Sequence, residues 1–259
     1  MTSESDTDEL VIPAPVPPAA PAPETPSAPA PETPAAPSPG PANERRVGIF
    51  GKLPSLGDFI TRGLPASFTD PWHAWLVRGL ADAREILGER FEPAYMSAPV
   101  WRFAVPCGVA GPDAATGIFL PSVDAVGRLF PLTLAVTAAT PFPFSALVAA
   151  QEWFDQIEET GRAALSDEFA PDAGLEGLAP MSPNGASPSP ERWQRRVAAG
   201  QPFALCAPTL LADCAASELT VFWSDGSPFV ANGCFAGRKL PEGRDFARLL
   251  DDVAHEGVA

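Results

Sequence analysis

Short apolar runs with strand character recur along the chain. RVGIF (46–50) is a compact apolar run that leads into a glycine, and it predicts a first core strand. PVWRFAVP (99–106) alternates along its length and is rich in residues that favour strands. Because alternate side chains of a strand point to the same side, Trp101 and Phe103 are predicted to share one face of a sheet.

Two pairs of apolar runs surround turn residues and therefore predict hairpins. GIFLPSV (117–123) and RLFPLTLAVT (128–137) lie on either side of a turn that contains Asp124 and Gly127, and they are expected to pair as antiparallel neighbours. Late in the chain, a second hairpin is predicted around Gly226 from ELTVFWSD (218–225) and PFVANGCF (228–235).

Longer stretches repeat their apolar residues with the period of an α-helix. In TDPWHAWLVRGLADAREILG, the predicted N-cap is Thr69 or Asp70, the first helical position is Pro71, and the helix stops at Gly88. The apolar stripe expected to pack on a sheet consists of Trp72, Trp75, Leu76, Leu80, Ala83, Ile86 and Leu87. Further helices are predicted over residues 145–165, capped by Ser145, and over residues 243–256.

Strands and long helices alternate, and hairpins are also present. The predicted fold class is therefore α/β, a mixed β-sheet flanked by helices in an α/β/α sandwich.

Residues 47–259 have the size of one domain. Residues 1–46 hold 13 of the 33 prolines and no aromatic residue. This Pro/Ala-rich arm cannot bury enough apolar surface to offset its ordering entropy, so it is expected to be disordered. Residues 170–190 are rich in Pro, Gly and Ser and predict a long loop.

Charge and composition limit the partners. The formal net charge is −15, which argues against nucleic acid or an anionic membrane because phosphate binding needs a basic surface. The acidic N-terminus does not resemble a signal peptide, and no run reaches the roughly 18 apolar residues that cross a bilayer. We therefore expect a cytoplasmic protein, without membrane insertion, that binds a protein or a small ligand.

The segment GKLPSLGDFI (51–60) does not fit a phosphate-binding loop. That loop requires GxxxxGK followed by Ser or Thr, but Leu53 occupies the hydroxyl position and Pro54 removes a backbone amide. No serine lies in a GxSxG elbow, and the 2 histidines and 4 cysteines form no zinc pattern. No catalytic residue, cofactor or metal site is therefore predicted.

Polar and charged residues embedded in apolar segments are the remaining candidates for a site. Two interpretations stay open, since acids and arginines either pair with one another as architecture or form a polar patch at one end of the sheet that docks a partner. Asp58 is expected to anchor the segment after its loop against an arginine such as Arg128. The full candidate patch consists of Lys52, Asp58, Arg62, Arg102, Ser122, Asp124 and Arg128.

Three of these segments resemble a known family. GKLPSLGDFITRGLP, APVWRFAVPCG and GIFLPSVDAVGRLFPLTLAV are similar, in order and spacing, to the N-terminal domain of the TagF family, also called ImpM. These are accessory proteins of bacterial type VI secretion. The resemblance covers residues 47–140 most clearly, and LTVFWSD and KLPEGRDFARLL are similar to later segments of the family.

The resemblance implies an α/β sandwich domain without known catalytic activity. It also implies a cytoplasmic post-translational repressor of apparatus assembly, linked to the forkhead-associated scaffold protein and to a threonine-phosphorylation switch. Some relatives carry a fused metal-dependent phosphatase, and the Asp and His content here does not supply its two-metal site. Two alternatives stay open: a structural adaptor of the apparatus, and a hydrolase or phosphatase that uses Ser122 or Asp124.

Overall fold

A computed structural model describes residues 46–181 and 219–252. Its seven strands are β1 (Gly48–Gly51), β2 (Ile60–Arg62), β3 (Trp101–Val105), β4 (Ala114–Leu120), β5 (Leu132–Ala138), β6 (Thr220–Ser224) and β7 (Gly233–Gly237). They form one sheet in the order β2-β1-β5-β4-β3-β6-β7, and every pairing in it is antiparallel.

The helices of the described residues lie on both faces of this sheet. They are α1 (Ala66–Leu87), α2 (Phe91–Met96), α3 (Phe144–Ala149), α4 (Gln151–Ala163), α5 (Pro171–Glu176) and α6 (Arg244–Ala247). One apolar core joins α1, α2 and α6 to the sheet, and a second joins α3 and α4 to the opposite face. The predicted α/β class, with a sheet between helical layers, is confirmed. The sheet was predicted to be mixed, but all of its pairings in the described residues are antiparallel.

The long helix α1 is fixed to the sheet by aromatic packing. Trp72 stacks on Phe103 of β3 at 4.6 Å between ring centroids, and its indole Nε1 donates a hydrogen bond to Thr133 of β5. Gly79 lets α6 approach, since a Cβ there would lie 2.2 Å from the Phe246 ring. The predicted apolar stripe of α1 is confirmed, except that Leu80 is only partly buried and Ile86 is exposed.

The predicted start of α1 at Thr69 or Asp70 is wrong. The helix begins at Ala66 after an extended Pro65, so Pro71 lies inside it rather than at its first position. Phe68 is buried and stacks on Trp72, which draws one more turn of chain into the helix. The stop at Gly88 is confirmed, where φ is 55°.

Three other element bounds differ from the prediction. The helix expected over 145–165 begins at Phe144 after Pro143 and is interrupted at Ala150, whose amide donates to the carbonyls of both Ala146 and Leu147 and so tightens the last turn of α3. The hairpin around Gly226 is confirmed, but β7 starts later than predicted because residues 227–230 form a turn. Up to residue 252, the predicted terminal helix is limited to the four residues of α6.

Several predictions fall on residues outside the described ranges. These are the arm up to residue 45, most of the second half of the 170–190 loop, and the end of the terminal helix after residue 252. In the described part of this predicted loop, residues Pro171–Glu176 form the helix α5 rather than irregular structure. No helix of residues 46–181 and 219–252 has both the length and the hydropathy needed to cross a bilayer.

Gly51 ends β1 in a conformation that only glycine adopts without strain. Its φ is 135°, and a Cβ there would lie 2.2 Å from the Pro131 carbonyl oxygen. We expect Gly51→Ala to lower the free energy of unfolding by about 2–4 kcal/mol, measured by urea denaturation. Gly57→Ala is the matched control, because no atom lies within 4 Å of the added Cβ. Equal stability of the two variants would contradict this account of Gly51.

Candidate functional site

Two loops meet at one end of the sheet. The first, residues 52–59, joins β1 to β2, and the second, residues 121–131, joins β4 to β5. The Ala125 amide donates a hydrogen bond to the Leu56 carbonyl at 3.0 Å, and the Ser122 hydroxyl donates to the Lys52 carbonyl at 2.7 Å. These contacts bring together parts of the chain that are about 70 residues apart.

The Asp124 carboxylate is the centre of the contact between the loops. Its Oδ2 atom accepts hydrogen bonds from Lys52 Nζ at 2.7 Å and from Arg128 Nε at 2.6 Å. Its Oδ1 atom accepts from the backbone amides of Arg128 and Val126, at 2.8 and 3.1 Å. Arg128 also donates through Nη2 to the Gly57 carbonyl at 2.6 Å, so one arginine ties the second loop to the first.

The environment of Asp124 strongly favours its charged form. Burial of the carboxylate raises its pKa, but the hydrogen bonds from Lys52, from the amide and side chain of Arg128, and from the Val126 amide outweigh burial. The pKa of Asp124 is therefore held well below its usual range. Two cations share this one carboxylate, which leaves a net charge of about +1 on the cluster at neutral pH.

Tyr95, the chain's single tyrosine, supports the second loop from α2. Its hydroxyl donates to the Ser122 carbonyl at 2.8 Å and accepts from the Ser122 amide at 3.1 Å. Burial raises the pKa of Tyr95, so the phenol remains protonated and keeps its role as donor. The backbone at Ser122 is therefore held on both its amide and its carbonyl.

Above this polar base lies a set of exposed apolar side chains, which we call the apolar loop surface. It consists of Leu56, Phe59 and Val126, whose exposed fractions are 38%, 45% and 71%. Phe59 packs on His73 of α1 at 5.2 Å and on Phe130 at 4.8 Å, and Lys52 Nζ lies 5.3 Å from its ring centroid. The Phe59 ring is therefore half-exposed yet fixed by the residues around it, while Leu56 and Val126 are tied by hydrogen bonds of their backbone.

Four of the seven candidate residues come together here, namely Lys52, Ser122, Asp124 and Arg128. The predicted pairing of Asp58 with Arg128 is wrong. Arg128 binds Asp124 instead, because the turn at Gly127 folds these two side chains onto each other, and Asp58 is exposed with no ion pair among residues 46–181 and 219–252.

The remaining two candidates lie elsewhere. Arg62 is on strand β2 at the edge of the sheet, where its side chain is exposed and lies 3.7 Å from Asp172. Arg102 is buried on the sheet face covered by α4, and its Nη2 lies 3.0 Å from carboxylate oxygens of both Asp155 and Glu158. Arg62 and Arg102 therefore do not contribute to the contact between the two loops.

Sequence reasoning missed the apolar side chains of the site. Phe59 lies between a charged residue and a strand residue, and alternation could not show that it remains half-exposed. The sequence marks Tyr95 only as the single tyrosine of the chain, and no local pattern shows that it supports this site. In the described ranges, no group of three or more His, Cys, Asp and Glu could hold a metal ion.

Replacing Asp124 by Asn removes the charge that Lys52 and Arg128 share. Because the folded-state pKa of Asp124 is depressed, its contribution to stability is complete above the unfolded pKa of about 3.9 and is lost as the pH falls through the folded value. We expect the stability difference between wild type and Asp124→Asn to be constant above about pH 5 and to shrink below about pH 4. Urea denaturation at several pH values measures this difference, and one that grew on acidification would contradict the assignment.

Comparison with known proteins places these segments in a family. The family model described as TagF N-terminal domain, type VI secretion system-associated, matches residues 48–181, which include both loops. The crystal structure of PA0076 from Pseudomonas aeruginosa PAO1 superposes with a TM-score of 0.64 at 32% identity, covering 82% of this chain and 96% of that one. No curated protein matches the chain significantly. The chain belongs to the family of type VI secretion system-associated proteins that share the TagF N-terminal domain.

Proposed function

We propose that this chain is a non-enzymatic, cytoplasmic accessory protein of a bacterial type VI secretion system. It represses assembly of the apparatus after translation by binding the system's forkhead-associated scaffold protein. Membership of a family associated with type VI secretion supports the setting. The repressor role and the partner follow from the family resemblance of the segments that build the two loops.

The apolar loop surface is the observation that carries the binding role. Exposed apolar side chains grouped at one place on a protein mark interaction sites. Here Leu56, Phe59 and Val126 stand on loops whose backbones are held by Asp124, Arg128 and Ser122. Because the surface is already ordered, little conformational entropy is lost when a partner covers it.

The polar residues beneath the surface support binding over catalysis. A serine nucleophile needs a base within hydrogen-bond reach, whereas the Ser122 hydroxyl donates to the Lys52 carbonyl at 2.7 Å. Asp124 accepts from four donors and stays ionised, so it has neither a proton to give nor an oxygen left without a partner. These contacts favour an architectural role for the two residues named in the hydrolase alternative.

Polar substitution in the apolar loop surface is expected to weaken binding to the forkhead-associated protein. The double variant Phe59→Ser, Val126→Asp keeps Lys52, Asp124 and Arg128 themselves and removes the two most exposed side chains of the surface. We expect its dissociation constant, measured by calorimetry, to rise at least about tenfold.

Leu165→Ser is the control for this experiment. Leu165 has the same exposed fraction as Leu56, 38%, and follows α4 on the other face of the sheet. Its variant is expected to bind like wild type. If the double variant folds and binds as tightly as Leu165→Ser, the apolar loop surface is not the binding site.

A further inference from the structure

A cavity next to the apolar loop surface is lined by apolar residues and one arginine. It lies between α1, α2 and the second loop, has a volume of about 250 Å³, and is lined by Leu80, Ala81, Arg84, Phe91 and Leu129. We call it the α1–α2 cavity. From these residues we infer that it binds a protein segment that presents an apolar side chain beside a carboxylate.

The size of the cavity favours a side chain over a cofactor. Small-molecule and cofactor sites in proteins occupy about 300–1,000 Å³, so a volume of about 250 Å³ is too small for most of them. It is large enough for one or two side chains of a partner. The lining contributes three apolar side chains, Leu80, Phe91 and Leu129, and the first and last of these are only partly buried.

Arg84 supplies the charge at this cavity. Its guanidinium lies 4.8 Å from the centroid of the Phe91 ring, an arrangement that holds the group in place while its N–H edge stays available. Arg84 is exposed and forms no ion pair with any residue of the described ranges. A planar guanidinium in this state is suited to a carboxylate of the bound segment.

The net charge of the chain does not prevent an acidic segment from binding. The formal net charge is −15, but exposed charges are screened over about 8 Å at physiological ionic strength, and Arg84 is the one charged residue among those that line the cavity. At the apolar loop surface, the side chain of Arg128 is 60% exposed and is one of the two cations that share the Asp124 carboxylate. The cavity and the apolar loop surface thus both pair apolar side chains with a local positive charge.

The cavity is continuous with the apolar loop surface along α1. His73 packs on Phe59, Val77 lies one turn further along the helix and is 47% exposed, and Leu80 follows three residues later at the cavity. One bound segment can therefore cover both. The inference relies on the proposed function for the identity of the natural partner, but not for the chemistry of the segment.

Selection of peptides from a random library tests this chemistry directly. A displayed library of random short peptides is panned against the full chain, and the enriched sequences are expected to contain a large apolar residue close to Asp or Glu. A synthetic peptide of the enriched sequence should bind Arg84→Glu about tenfold more weakly than wild type by fluorescence anisotropy, a loss of about 1.4 kcal/mol. Ala81 lines the cavity and is exposed on α1, so the larger side chain in Ala81→Phe should fill part of the cavity and weaken binding to a similar extent.

Arg78→Glu is the matched control. Arg78 is exposed on the same helix and lines a different depression with Trp75 and Pro241, so the same charge change there should leave peptide binding unchanged. Absence of any apolar-acidic enrichment, or equal losses for Arg84→Glu and Arg78→Glu, overturns the inference. Melting temperatures of all variants confirm that they are folded.

A pull-down with the forkhead-associated protein separates this inference from the proposed function. If that protein binds wild type and loses binding to Arg84→Glu but not to Arg78→Glu, both are supported. If it binds wild type and both variants equally and the selected peptide shows no loss for Arg84→Glu, the cavity inference is wrong and the proposed function stands. If it does not bind wild type while the peptide results hold, the proposed function is wrong and the cavity inference stands.

Discussion

The ionised carboxylate of Asp124, placed between Lys52 and Arg128, holds the two loops of the site together. Removing either cation leaves a buried charge with fewer partners, which is costly in a protein interior. The geometry depends on local features of both loops, namely the φ of 135° at Gly51 and the turn at Gly127. In this arrangement of the two loops, the side chains of Leu56, Phe59 and Val126 are exposed at the surface.

In this site, the residues that hold the loops in place differ from the residues that are proposed to contact a partner. Ser122, Asp124 and Tyr95 are buried and hydrogen-bonded to the backbone or to charged side chains, whereas Leu56, Phe59 and Val126 remain exposed. This division is typical of a protein-binding surface, where a few apolar anchors supply most of the affinity.

Much of the fold could be predicted from the sequence, because alternation in β3 and the turn residues between β4 and β5 are local signals. The start of α1 was missed because burial of Phe68 is a tertiary effect that overrides the signal of Pro71. At the site, the pairing of Asp124 with Arg128 spans four residues, but the contact of Asp124 with Lys52 spans 72 and depends on β1 lying beside β5. The exposure of Phe59 depends on the same long-range arrangement.

The central claim is that the apolar loop surface represses a type VI secretion apparatus by binding one of its components. Secretion by three strains tests it most directly: wild type, a deletion of this chain, and a chromosomal copy carrying Phe59→Ser and Val126→Asp. The account predicts that the deletion and the double variant both release more of the apparatus's substrates than wild type. Abolished secretion in the deletion strain, as for a structural adaptor, or wild-type secretion from a folded double variant, would contradict it.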